Sequence, residues 1–163
     1  MRALALAAAL LTTLSVPPAP PALSAQSALS VPSDSSAVMA VIHQVFDAMR
    51  SRDSSALRAT FAPGAQMIGT GMRNGTAVVE AESPDGFITA VGKPSDAKWD
   101  ERIYHPEVRL DGNLATVWTE YDFYLGDKFS HCGVDAFMLA RTADGWKIVS
   151  LADTRRRERC PAR

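Results

Sequence analysis

The spacing of apolar residues changes along this chain, and the changes mark out its elements. Val38, Ile42, Val45, Phe46 and Met49 recur at intervals of three and four, the period of one helix face, with capping candidates at 33–36 before them and Arg50 and Arg52 after. The spacing predicts an amphipathic helix of about four turns. A second, short helix is expected from Asp53 or Ser54 through Leu57 and Phe61, ended by Pro63-Gly64. Residues 66–72 and 76–82 flank Asn74-Gly75, a dipeptide suited to a tight hairpin because both positions tolerate positive φ. Ser83-Pro84-Asp85 sets a cap, a first-turn proline and a first-turn acid in order, which predicts a third helix over 84–91 closed by Gly92.

From Lys98 the pattern becomes that of long strands. Turn chemistry at Asp111-Gly112, Gly126-Asp127 and Asp144-Gly145 separates runs of about a dozen residues each. Four strands in succession make an antiparallel meander. Of the aromatic residues, Phe46, Phe61 and Phe87 alone precede residue 97, so the sheet supplies the bulky lining of the core. The expected class is α+β: three N-terminal helices with a mixed or antiparallel sheet of about six strands, without an internal repeat or a second domain.

The first residues follow a different logic. Arg2 precedes a small, apolar run at 3–11 and then Pro- and Ser-rich sequence, the layout of a secretory signal. A membrane-spanning helix needs roughly 20 apolar residues, and the prolines at 17–21 interrupt this run too early; an uncleaved anchor is the alternative. The expected division is a signal peptide at 1–25, a flexible leader at 26–36, a folded domain at 37–155 and a basic tail at 156–163. Such a protein is exported, periplasmic or secreted, with no stable membrane span.

Removing the signal leaves 16 basic against 18 acidic side chains, which gives no electrostatic reason to expect nucleic acid. Arg155-Arg156-Arg157-Glu158-Arg159 is the one basic cluster. It reads as a solvated C-terminus, with a contact to an acidic partner or an anionic lipid surface left open. Cys132 and Cys160 are the only cysteines, and in an exported chain a pair suggests a disulfide; two free thiols are the alternative.

The candidate chemistry lies in the last hairpin, where His131, Asp135 and Asp153 interrupt apolar strands. Burying such groups is unfavourable unless something uses or pairs them. A two-residue turn at Gly126-Asp127 would place Asp122 across from His131 and Trp118 across from Asp135, with Cβ atoms roughly 5 Å apart. A three-residue loop at 143–145 with Gly145 left-handed would pair Thr142 with Trp146 and Asp135 with Asp153. Two carboxylates so placed cannot both ionise cheaply, so one pKa should rise, as a general acid or base requires. The same face could instead be the watered side of the sheet, where solvated acids mean nothing. His131 and Asp135 stand about 13 Å apart along the strand and could bracket a flat ligand whose ring approaches Gly133; a bulge explains that glycine as well.

Other chemistries find no support. The three histidines, His43, His105 and His131, have no zinc spacing, so no metal is expected. His43 reads as a helix-face residue and His105-Pro106 as a strand irregularity. Gly69-Thr70-Gly71-Met72 lacks the Lys-Ser/Thr and helix of a phosphate loop. No cofactor is expected.

The element order resembles the nuclear-transport-factor-2-like (NTF2-like) superfamily over about residues 37–155. The His-Cys-Gly-x-Asp-Ala-Phe strand, the Asp144-Gly145-Trp146-Lys147-Ile148 turn and the closing Asp153-Thr154-Arg155-Arg156 are similar to its small exported members labelled "putative lumazine-binding", alongside SnoaL-like proteins. The resemblance implies helices closing a cone over a bent sheet, and a small-molecule ligand, aromatic or heterocyclic, held between the first helix and the concave face. Tyr104, Trp118, Tyr121 and Phe137 are then the candidate apolar walls, and His131, Asp135 and Asp153 the polar end. Strand parity prevents all seven from sharing one face. It also implies two alternatives: a cofactor-independent isomerase, dehydratase or cyclase with Asp135 as base and His131 or Tyr121 as donor, and a protein-interaction module that forms a homodimer through its open sheet face.

Overall fold

Capping chemistry decides where the helices begin. The computed structural model describes residues 33–160, and at its start the Ser33 side chain accepts a hydrogen bond from the Ser36 N–H, opening α1 (Asp34–Ser51) with Asp34 in the electropositive first turn. The leader expected to run to 36 therefore stops at this cap. The expected signal peptide at 1–25, the rest of the leader and the last three tail residues lie outside the described residues. Asp53 caps α2 (Ser54–Thr60), and Ser83 caps α3 (Pro84–Gly92). Phe61, expected to close α2, instead starts a strand, because its place in the sheet opposite Ile148 buries its ring.

Six strands follow: β1 (Phe61–Arg73), β2 (Thr76–Glu82), β3 (Trp99–Asp111), β4 (Leu114–Leu125), β5 (Lys128–Thr142) and β6 (Gly145–Thr154). They form one sheet in the order β2-β1-β6-β5-β4-β3. β1 and β6 run parallel and every other pair is antiparallel, so the sheet is mixed. Asn74 and Gly75 both take positive φ, 52° and 78°, as their hairpin requires.

Register shifts bend the strands. His105 and Pro106 interrupt the β3–β4 ladder, because proline has no N–H to donate and His105 sits at φ 51°. Ser130 is an extra residue between β4 and β5, and Val149 one between β5 and β6.

The helices cover one face of this sheet. Val38, Ile42, Val45, Phe46 and Met49 on α1 meet Val117, Phe137, Leu139 and Ile148, all at most 4% exposed, and Phe46 packs edge-on against Phe137 at 6.2 Å. Each large side chain so buried contributes roughly 1.5–3 kcal/mol. On the opposite face Trp118, Leu114 and Met138 stay 43–54% exposed. Among the described residues no helix is long and apolar enough to cross a membrane.

Candidate functional site

β5 carries the site because its alternate residues 131, 133, 135, 137 and 139 point to the helix-covered face. Leu139 and Phe137 belong to the apolar core; one step further along, Asp135 is 3% exposed. It lies opposite Asp153, as expected, although the turn is the two residues Ala143-Asp144, with Thr142 paired to Gly145. The Val149 bulge restores the one-residue difference. The β4 side needs correcting. The Ser130 bulge moves Asp122 opposite Cys132 and puts Thr119, not Trp118, opposite Asp135. His131 consequently has no carboxylate across from it; its Nδ1 lies 3.0 Å from Ser130 Oγ, and its ring packs 4.9 Å from Phe123 and 5.7 Å from Tyr121.

Glu101 is the residue that sequence reasoning missed. It sits on the same face of β3, opposite Phe123, and its carboxyl group comes within interacting reach of that of Asp135. Desolvation raises Glu101 to about 7; the hydrogen bond from Asp135 lowers it, the charge of Asp153 raises it and Arg155 lowers it. Asp135 is raised well above the carboxylate range, first by desolvation and then by the charge and hydrogen bond of Glu101. Burial therefore raises both groups together, and their closeness disfavours ionising both at once. The Oδ2 atom of Asp135 is buried without a hydrogen-bond partner among the described residues. Asp153, its side chain 12% exposed, accepts a 2.6 Å bond from Nε of Arg155. Burial, reinforced by Arg155, lowers His131 and keeps it neutral near pH 7. One signal could have found Glu101: it alternates with Trp99 and Ile103, an acid in an apolar phase.

The expected ligand walls separate. Tyr121 is 2% exposed and adjoins the acids, but its hydroxyl donates to the Thr154 carbonyl at 2.8 Å. Phe137 is core under α1. Tyr104 and Trp118 are on the other face, opposite Glu120 and Glu107, because their strand phase is odd relative to Asp135. The space beside Gly133 is also filled: a Cβ there would lie 1.8 Å from the Thr154 oxygen and 2.7 Å from a Tyr121 ring carbon. A flat ligand has no room at that point, and glycine is required by the protein's own chain. The half-buried rings nearest the acids form instead a strip of Phe87, Trp99, Phe123 and His131, with neighbouring centroids 6.5, 6.0 and 4.9 Å apart.

Cys132 and Cys160 are joined in a disulfide, so neither is left as a thiolate ligand although Asp122 lies beside them. Three depressions of about 780, 460 and 660 Å³ lie elsewhere on the surface and include neither Asp135 nor His131.

Three helices on a six-stranded mixed sheet, with ionisable groups gathered on the covered face, define an α+β protein with an NTF2-like fold. The chain belongs to the family described as "Putative lumazine-binding", matched over residues 33–152. Solved structures share the fold. An NTF2-like protein of unknown function from Silicibacter pomeroyi is 23% identical, with a TM-score of 0.54 and coverage of 74% of this chain and 93% of that one. A protein from Streptomyces avermitilis titled a putative dehydratase is 15% identical, with a TM-score of 0.55 over 76% and 96% of the two chains. One from Shewanella frigidimarina titled a putative ketosteroid isomerase is 17% identical, with a TM-score of 0.55 over 74% and 97%. No curated protein matches the sequence.

Proposed function

We propose that the protein is exported and binds a small planar heterocycle against Phe87, Trp99, Phe123 and His131, with Glu101 as its polar anchor. The observation that carries this reading is the closeness of the Glu101 and Asp135 carboxyl groups on the covered face that also carries the half-buried rings. The partly open Glu101 carboxyl group accepts a ring N–H, while Asp135 beside it fixes its orientation. Neutral His131 adds a stacking surface that carries no charge. The family description supports a ligand of this kind, since a lumazine is a planar heterocycle bearing N–H and C=O groups.

Calorimetric titration with lumazine and with a carbocycle of equal size tests it. Lumazine is expected to bind, and Glu101→Gln to weaken it roughly 10–100-fold through loss of a charged hydrogen bond. No binding of the heterocycle, or equal binding by the variant, would contradict the reading. A second reading has its own observation: a carboxyl group raised to about 7 suits proton transfer, so Glu101 rather than Asp135 is the candidate base of an isomerase or dehydratase. Turnover of ketone and hydroxy-carbonyl substrates, abolished in Glu101→Gln, would establish it; none in the parent protein removes it. The exposed Trp118, Leu114 and Met138 favour the homodimer expected through the open face, and light scattering on dilution decides that.

A further inference from the structure

The end of β6 and the described part of the tail expected at 156–163 are tied to the sheet. Arg156 exchanges both backbone hydrogen bonds with Cys132, at 2.9 Å each, and the Thr154 hydroxyl oxygen accepts from Val134 N–H at 3.0 Å. The Thr154 carbonyl fills the place of the missing Gly133 side chain and accepts a hydrogen bond from the Tyr121 hydroxyl. Asp153, facing Asp135, is tied to Arg155. Beyond these contacts the segment is mostly exposed, and among the described residues its far end is fastened to the sheet through the Cys160 bridge to the fully buried Cys132. The start of the segment is held by β5, by the Tyr121 hydroxyl on β4 and by Thr70 on β1, whose carbonyl accepts from Arg155 N–H at 3.4 Å, and its far end by this one covalent bond.

We propose that residues 154–160 form a redox-released strap over the inner site, latched by the Cys132–Cys160 disulfide and opened by a small dithiol. A dithiol thiolate attacks the partly accessible sulfur of Cys160, and Cys132 leaves as a thiolate that takes up a proton. The second thiol of the reductant then displaces Cys160, so the bridge gains two electrons and two protons while the dithiol closes to its own disulfide. Attack is slow at rest, because Cys132 is buried and the acidic side chain of Asp122, within 4.8 Å of both sulfurs, disfavours a second negative charge. Once the latch is open, the Thr154 carbonyl withdraws, and the Tyr121 hydroxyl and the recess over Gly133 beside Asp135 become available to ligand. This rests on the acid pair being the ligand site, but the opening itself is measurable without any ligand.

The test compares the oxidised protein with protein treated with dithiothreitol and alkylated with iodoacetamide, and with Cys160→Ser. Hydrogen exchange is followed by mass spectrometry, and tyrosine accessibility by tetranitromethane nitration. The strap model expects exchange at 154–160 and at Cys132 to quicken at least 10-fold while Val117 and Leu139 keep their protection, and Tyr121 to be nitrated only after reduction. Unchanged exchange in the strap overturns the proposal, as does protection lost equally throughout the sheet, since the segment would then not be a separable unit. Gly133→Ala offers an independent check: its methyl group should displace Thr154 and expose Tyr121 with the disulfide intact. A strap that opens in a protein that binds no lumazine in either redox state would sink the ligand reading and leave the latch standing.

Discussion

Phe137 and Asp135 are neighbours on one face of β5, roughly 7 Å apart, and they belong to opposite kinds of structure. Around Phe137 the strands meet α1 in a close-packed apolar layer with Phe46, Val117 and Leu139. Around Asp135, β3 and β6 bring up Glu101 and Asp153 on the same covered face, where burial raises the carboxyl groups. The first region gives the chain its stability. The second opposes it, since each buried charge is a desolvation cost that only a function or a compensating partner explains. Ion pairing of Asp153 with Arg155 offsets part of that cost.

Substitutions should separate the two regions. Phe137→Ala removes a ring from the apolar layer and is expected to destabilise by about 3–5 kcal/mol in urea unfolding at pH 7, whereas Asp135→Asn should be near neutral or stabilising. An equal loss from both would erase the distinction. The polar region should also register in pH. Glu101 and Asp135 both have folded pKa values raised above their unfolded ones, so the folded state binds protons more tightly. Stability is then fullest below the ordinary carboxyl range and declines as pH rises from about 4.5 to about 7. For Glu101 the decline is on the order of 2–3 kcal/mol, and Glu101→Gln should flatten it. A curve that rises across this interval would show that the acids are stabilised as anions.

Gly133→Ala comes next, at about 1–3 kcal/mol, because the added methyl group meets the Thr154 backbone and not a flexible side-chain end. Trp118→Ser is expected to change stability by no more than about 0.5 kcal/mol and to leave lumazine binding unaltered, since the ring lies on the outer face. Weakened binding there would mean that the two faces are not independent.

Much of the fold was legible because local chemistry speaks for itself. Ser33, Asp53 and Ser83 cap their helices, Asn74-Gly75 turns a hairpin, and the spacing on α1 places Val38, Ile42 and Val45 inward. The site was less so, for a geometric reason. A single extra residue in a strand reverses every face beyond it, and neither Ser130 nor Val149 differs in kind from its neighbours. The pairing of Asp135 with Asp153 came through only because a shorter turn and a bulge cancelled. Trp118 and Tyr104 were assigned by being large and aromatic, a property that both faces of this sheet share. Glu101 was hidden because its partner lies two strands away, and only the His105-Pro106 interruption, visible in the chain, hints at the shift that aligns it with Phe123.

The most direct measurement is a carbon-13 titration of the side-chain carboxyl groups in protein labelled at Asp and Glu, with Asp135→Asn as the assignment control. The account predicts that Glu101 titrates near pH 7, that Asp135 titrates well above the ordinary carboxyl range, and that Glu101 shifts when residue 135 is replaced. Ordinary titration of both groups near pH 4, with no response of one to loss of the other, would contradict it.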